Sequence, residues 1–67
     1  MYKDLYKFNI GERFIELHYS EVHQVVSIKF SVEYDCKVVL TQCIDDGSTV
    51  EWFYKMDEYA PILYQVE

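Results

Sequence analysis

Residues 25–34 alternate without a break. Val26, Ile28, Phe30, Val32 and Tyr34 fall on one phase, and Val25, Ser27, Lys29, Ser31 and Glu33 on the other. A period of two, rich in β-branched and aromatic residues, belongs to an extended strand; a helix would scatter these apolar groups around its circumference. The punctuation on either side extends the β reading. Asp45-Asp46-Gly47, between two apolar runs, suits a three-residue hairpin loop closed by Gly47 in the left-handed region. That loop sets Ile44 opposite Ser48, Gln42 opposite Val50, Leu40 opposite Trp52 and Val38 opposite Tyr54. A loop at Asp35-Cys36-Lys37 sets Tyr34 opposite Val38, Val32 opposite Leu40, Phe30 opposite Gln42 and Ile28 opposite Ile44. Both turns put one apolar surface across three strands, and consistency between separate local choices is what a foldable sequence shows.

The N-terminal third admits two readings. Gly11-Glu12 suits a type II′ turn pairing Phe8 with Ile15 and Tyr6 with Leu17, and a second turn at Val22-His23 then sets Tyr19 beside Val26 and Leu17 beside Ile28. The alternative is a helix over about 12–23, with Ile15, His18, Tyr19 and Val22 as its apolar stripe, packed on a three- to four-stranded sheet. Ile62-Leu63-Tyr64-Gln65-Val66 alternates as well and reads as a last strand. The expected architecture is mainly β: a single domain over residues 1–67, built as an antiparallel meander of up to six strands. Tyr6, Phe8, Ile15, Leu17, Tyr19, Ile28, Phe30, Val32, Leu40, Trp52, Tyr54, Ile62 and Tyr64 would share its apolar face. Each large side chain there is worth roughly 1.5–3 kcal/mol on burial. The sheet is therefore expected to close as a small barrel or roll, to pack on the helix, or to dimerise through that face. Leu5, Phe14, Val25, Val39, Phe53 and Leu63 would fall on the opposite, outer face.

Composition narrows the function. The chain is 51% hydrophobic and 18% aromatic, too apolar for a solvated disordered segment. Six basic against twelve acidic residues give a net charge of −6, of which −5 falls on residues 35–67, and this argues against a phosphate-binding surface. No apolar run approaches the ~20 residues that cross a bilayer. The segment Met1–Lys7 has neither a continuous apolar stretch nor a small-residue cleavage site, so a cytoplasmic protein with no membrane partner is expected.

Chemistry-bearing residues are few. Cys36 and Cys43 lie on one extended strand, about 20 Å apart and on opposite faces, so they are expected to remain free thiols. His18 and His23 read as surface histidines; His-x4-His and Cys-x6-Cys are not the close pairs of a structural zinc site, so neither metal nor cofactor is expected. Asp45-Asp46 and Asp57-Glu58 are adjacent pairs rather than converging carboxylates, and no phosphate loop or catalytic triad is present. The sequence therefore predicts a non-enzymatic protein-binding module. Its candidate contact residues are Val39 and Phe53, placed opposite each other, with Asp45, Asp46, Glu51, Asp57 and Glu58 around them. The specific form expected is a small acidic inhibitor, of the kind mobile elements encode, that blocks the basic site of a nucleic-acid-handling enzyme. The alternatives are a self-associating structural or accessory subunit, most simply a dimer, and a small β-barrel that binds nucleic acid by stacking.

Overall fold

Extended backbone dominates, as the alternation requires. The computed structural model describes residues 1–15, 21–55 and 62–66. They form one six-stranded antiparallel sheet of β1 (Tyr2–Asp4), β2 (Arg13–Ile15), β3 (Val22–Ser31), β4 (Cys36–Cys43), β5 (Thr49–Phe53) and β6 (Ile62–Val66). The spatial order is β1-β6-β2-β3-β4-β5, so a meander runs from β2 to β5 and the C-terminal strand slots between β1 and β2. The sheet stays open, with β1 and β5 as its edges, and does not close into the expected barrel. The helix over 12–23 is overturned at both ends: Arg13, Phe14 and Ile15 pair with Gln24, His23 and Val22. Val22-His23 is therefore strand rather than turn. Leu17 and Tyr19, assigned to the apolar face, and His18 lie outside the described residues.

Both central hairpins turn through longer loops than expected. Strand β3 ends at Ser31, which pairs with Cys36, and residues 32–35 form the turn. The Ser31 hydroxyl accepts the Tyr34 N–H at 3.2 Å, and Asp35 takes a left-handed φ of 50°, a conformation Asp tolerates better than most residues. Val32 thus sits on a turn at 88% exposure, and does not face Leu40. Alternation that runs on past the end of a strand concealed that end. Between β4 and β5, Gly47 N–H bonds to the Cys43 carbonyl at 3.0 Å and Cys43 N–H to the Ser48 carbonyl at 2.8 Å, which makes residues 44–47 the loop. Gly47 does adopt the left-handed φ, at +77°. Adding one residue to the expected loop sets Val39 opposite Trp52 and Val38 opposite Phe53.

These shifts exchange the faces, because pairing moved by an odd number of residues puts each side chain with the opposite set. Ile28 opposes Val39 where Ile44 was expected. A bulge between Val25 and Ser27 adds a second change of phase, within β3 itself. It leaves Val25 fully buried and Val26 44% exposed, so β3 changes phase midway. The core is Leu5, Tyr6, Phe8, Phe14, Val25, Val39 and Leu63, with Ile28 and Trp52 packed against it. Leu5, Phe14, Val25, Val39 and Leu63 were expected outside, whereas Phe30, Tyr54 and Tyr64, expected inside, are exposed.

The N-terminal segment supplies the cover that the apolar face demanded. Asp4 accepts the Tyr6 N–H at 2.8 Å and starts a single 3-10 turn, Leu5–Lys7, in place of the expected strand. Phe8 then packs edge-to-face on Phe14 at 5.5 Å, and Lys37 Nζ donates to the Tyr6 carbonyl at 2.6 Å, tying the segment to β4. The chain returns to the sheet through a turn over residues 9–12, closed by Glu12 N–H to the Asn9 carbonyl at 3.1 Å. Gly11 holds a φ of +92° at the third position of that turn, where type II geometry needs glycine; the expected type II′ turn would put it second. Glu12 anchors the return. It accepts the Asn9 N–H at 2.7 Å and Lys3 Nζ at 3.1 Å, and Gln65 also donates to it. The Asn9 N–H first, and then Lys3, hold the Glu12 carboxyl below its usual range.

Candidate functional site

With the core on one side, the other face of β3–β4–β5 is left uncovered among the described residues. Register places Ser27, Leu40 and Glu51 in one row across it and Lys29, Val38 and Phe53 in the next. Tyr34, from the β3–β4 turn, packs edge-to-face on Phe53 at 5.1 Å and raises one wall. These residues line an open groove of about 550 Å³. A polar belt of Arg13, Gln24, Gln42 and Thr49 separates it from a second aromatic area, where Tyr2 meets Tyr64 at 5.2 Å.

The contact residues expected from the sequence divide accordingly. Phe53 and Glu51 do lie on the open face, but Val39 does not: it is 1% exposed in the core, and Val38 and Leu40 take its place beside Phe53. Trp52 turns inward, where its Nε1 donates to the buried Thr41 hydroxyl at 3.1 Å. Asp45 and Asp46 sit exposed in the β4–β5 loop. Asp57 and Glu58 lie outside the described residues. A nucleic-acid surface would need Lys29 gathered with Lys37 or Lys55 on one face. Lys37 instead bonds to the Tyr6 carbonyl on the core side, and Lys55 pairs with Asp35 at 3.1 Å.

A second cluster lies at the end of the core near the β4–β5 loop. His23 pairs in register with Cys43, and the Phe14 ring stacks on the imidazole at 5.6 Å. His23 is 9% exposed, which corrects the surface placement read from the sequence. Its Nε2 stands 3.7 Å from Glu21 Oε2, and the Cys43 thiol reaches the same oxygen at 3.9 Å. The ligand atoms of Glu21, His23 and Cys43 all lie within 4.8 Å of one another. Among the described residues His23 Nδ1 is buried with no hydrogen-bond partner. Asp46 closes the group from the loop side, its Oδ1 accepting both the Ser48 N–H at 2.8 Å and the Ser48 hydroxyl at 2.6 Å. Those two bonds hold the Asp46 carboxyl below the usual carboxylate range, and the Cys43 thiol and the His23 charge act the same way.

Sequence spacing did not reveal this cluster because His-x4-His and Cys-x6-Cys compare like with like. The structure joins one histidine and one cysteine from adjacent strands, an arrangement that only the β3–β4 register exposes. Cys36 takes no part, and both thiols are free, as expected. A buried thiol at 1% exposure is closed to a substrate-sized electrophile, so the cluster suits ligation better than nucleophilic catalysis. Among the described residues no helix is long and apolar enough to cross a membrane. Comparison with protein-family models, curated proteins and solved structures finds no match to this chain, and the reading of both sites rests on residues and geometry.

Proposed function

We propose that the chain is a non-enzymatic protein-binding module whose partner docks on the open face of β3–β4–β5. The observation that carries this reading is the groove in which Val38, Leu40 and Phe53 stand together on the face turned away from the core. An aromatic anchor among aliphatic side chains, rimmed by polar groups, is the usual make-up of an energetic centre in protein interfaces. Charge selects the partner. Lys29 and Glu51 offset each other in the groove, while Asp45 and Asp46 in the β4–β5 loop and a net charge of −6 leave the acidic excess, so the complementary surface is basic. The specific form is an acidic inhibitor that occupies the basic site of a nucleic-acid-handling enzyme.

The test is capture of such an enzyme from the native host, followed by affinity measurements across a salt series. Leu40→Asp should abolish binding while the thermal melt stays close to wild type. Joint reversal of Asp45, Asp46 and Glu51 to lysine should weaken binding and flatten its salt dependence. Full affinity in the Leu40→Asp protein refutes the docking face; full affinity after charge reversal refutes the electrostatic part. A second reading, self-association, draws support from the two open edge strands and the paired rings of Tyr2 and Tyr64. Sedimentation as a strict monomer at micromolar concentration disposes of it.

A further inference from the structure

We propose that Glu21, His23 and Cys43 form a binding site for a thiophilic divalent cation, with zinc the ion that the donor set fits. The backbone fixes two of the three ligands, because His23 and Cys43 are cross-strand partners on adjacent strands. Thiolate, imidazole and carboxylate are the donors zinc takes, and a thiolate disfavours calcium and magnesium. Separations decide between a ligand set and a hydrogen-bonded cluster. Zinc bonds of about 2.3 Å to sulfur and 2.0 Å to nitrogen and oxygen, at the tetrahedral angle, put ligand N···O at roughly 3.3 Å and S···O at roughly 3.5 Å. The two separations from Glu21 are 3.7 and 3.9 Å, too long for strong hydrogen bonds and a few tenths of an ångström from the ligated geometry, and the imidazole and thiol lie within 4.8 Å of each other, so the ion would draw that pair together.

The buried imidazole is the independent observation. Among the described residues His23 is 9% exposed, its Nδ1 has no partner, and its Nε2 stands 3.7 Å from Glu21 Oε2, beyond hydrogen-bond reach. Leaving buried ring nitrogens unpaired costs about 1–3 kcal/mol each, and an ion bound at Nε2 removes that cost for one of the two. Stacking on Phe14 holds the ring in place. The three side chains leave the fourth position of a tetrahedral ion open. The half-exposed Glu21 provides the way in, its side chain 53% accessible. Binding replaces the Cys43 S–H bond with an S–metal bond and releases one proton to solvent.

The experiment titrates the reduced, chelator-stripped full chain with Zn²⁺ against a competing chelator, and with Co²⁺ followed by absorption. One equivalent should bind, and Co²⁺ should give a thiolate-to-cobalt charge-transfer band with tetrahedral ligand-field bands. Cys43→Ser should abolish the band, and Cys36→Ser should leave it unchanged. His23→Gln and Glu21→Gln should each weaken binding by at least about tenfold, the lower end of what loss of mere outer-layer support costs. Glu21→Gln alters an exposed side chain, so its effect is read on a folded protein. No binding at micromolar metal, a band that survives Cys43→Ser, a band lost in Cys36→Ser, or undiminished affinity in both His23→Gln and Glu21→Gln would each overturn the site.

Discussion

Alanine substitution of two adjacent valines in β4 distinguishes the two possible faces of this sheet. Val39 is 1% exposed and packs with Val25 and Leu63, while Val38 lies half-exposed in the open groove. Val39→Ala removes two buried carbons, about 1.6 kcal/mol at roughly 0.8 kcal/mol each, and the unfilled space raises the cost to about 2–3 kcal/mol. Val38→Ala loses only part of the transfer contribution and leaves no closed cavity, so it costs under about 1 kcal/mol. The lower strand propensity of alanine affects both alike and cancels in the difference. Urea unfolding measures it: with a slope near 1 kcal/mol/M for so small a domain, Val39→Ala should lower the midpoint by about 2 M or abolish folding in dilute buffer. Val38→Ala should shift it by less than about 1 M at unchanged slope. Equal costs, or the larger cost at Val38, would restore the pairing in which Val38 faces Tyr54 and Leu40 faces Trp52, and would refute the register described above.

Three further outcomes follow from individual contacts. Gly47 holds a φ of +77°, and a Cβ there would meet only Gln42 Nε2 at 3.8 Å, an ordinary contact, so Gly47→Ala should cost about 1 kcal/mol from backbone strain, and Gly47→Asn less, both read by thermal melts. Lys37→Ala removes the 2.6 Å bond to the Tyr6 carbonyl and should destabilise by about 1–2 kcal/mol, with faster amide exchange over Leu5–Phe8. The Glu12 carboxyl is held below its ordinary value of 4.5, so its contribution is complete above that pH and fades as pH falls through the lower folded-state value. Glu12→Gln should therefore narrow its stability gap to wild type as pH is taken below about 4.5; a gap that stays constant from pH 7 to pH 3 would contradict this assignment.

Strand identity was legible over β4 to β6 and most of β3, and misread in the N-terminal third; strand pairing was not legible. A strand through residues 25–31, the hairpin at Gly47, the positive φ of Gly11 and the final strand at 62–66 follow from local chemistry and appear in the fold, whereas the expected continuation of the first to residue 34 is a turn. The faces were misread for a physical reason. Alternation fixes which residues share a side within a strand, yet says nothing about where a strand ends or whether a bulge interrupts it. Ser31 and Asp35 build a turn inside an apparently continuous pattern, and Val26 bulges out of it. Those two events changed which residues of β3 face β4, and the extra residue in the β4–β5 loop gave the place beside Phe53 to Val38. The N-terminal cover escaped notice because Leu5 and Phe8 follow no period; Asp4 capping the 3-10 turn was its only local signal. The thiol–imidazole cluster depends on cross-strand register, so it could not be read before the pairing was known.

Photo-crosslinking from position 53 probes the docking face most directly. A benzophenone side chain in place of Phe53 should capture one discrete protein in extract of the native host, competed by excess wild type and not by the Leu40→Asp variant. The same group at Ile10, 62% exposed and away from the groove, should capture none of it. Absence of any product from position 53, or equal capture from position 10, would contradict a partner seated on β3–β4–β5.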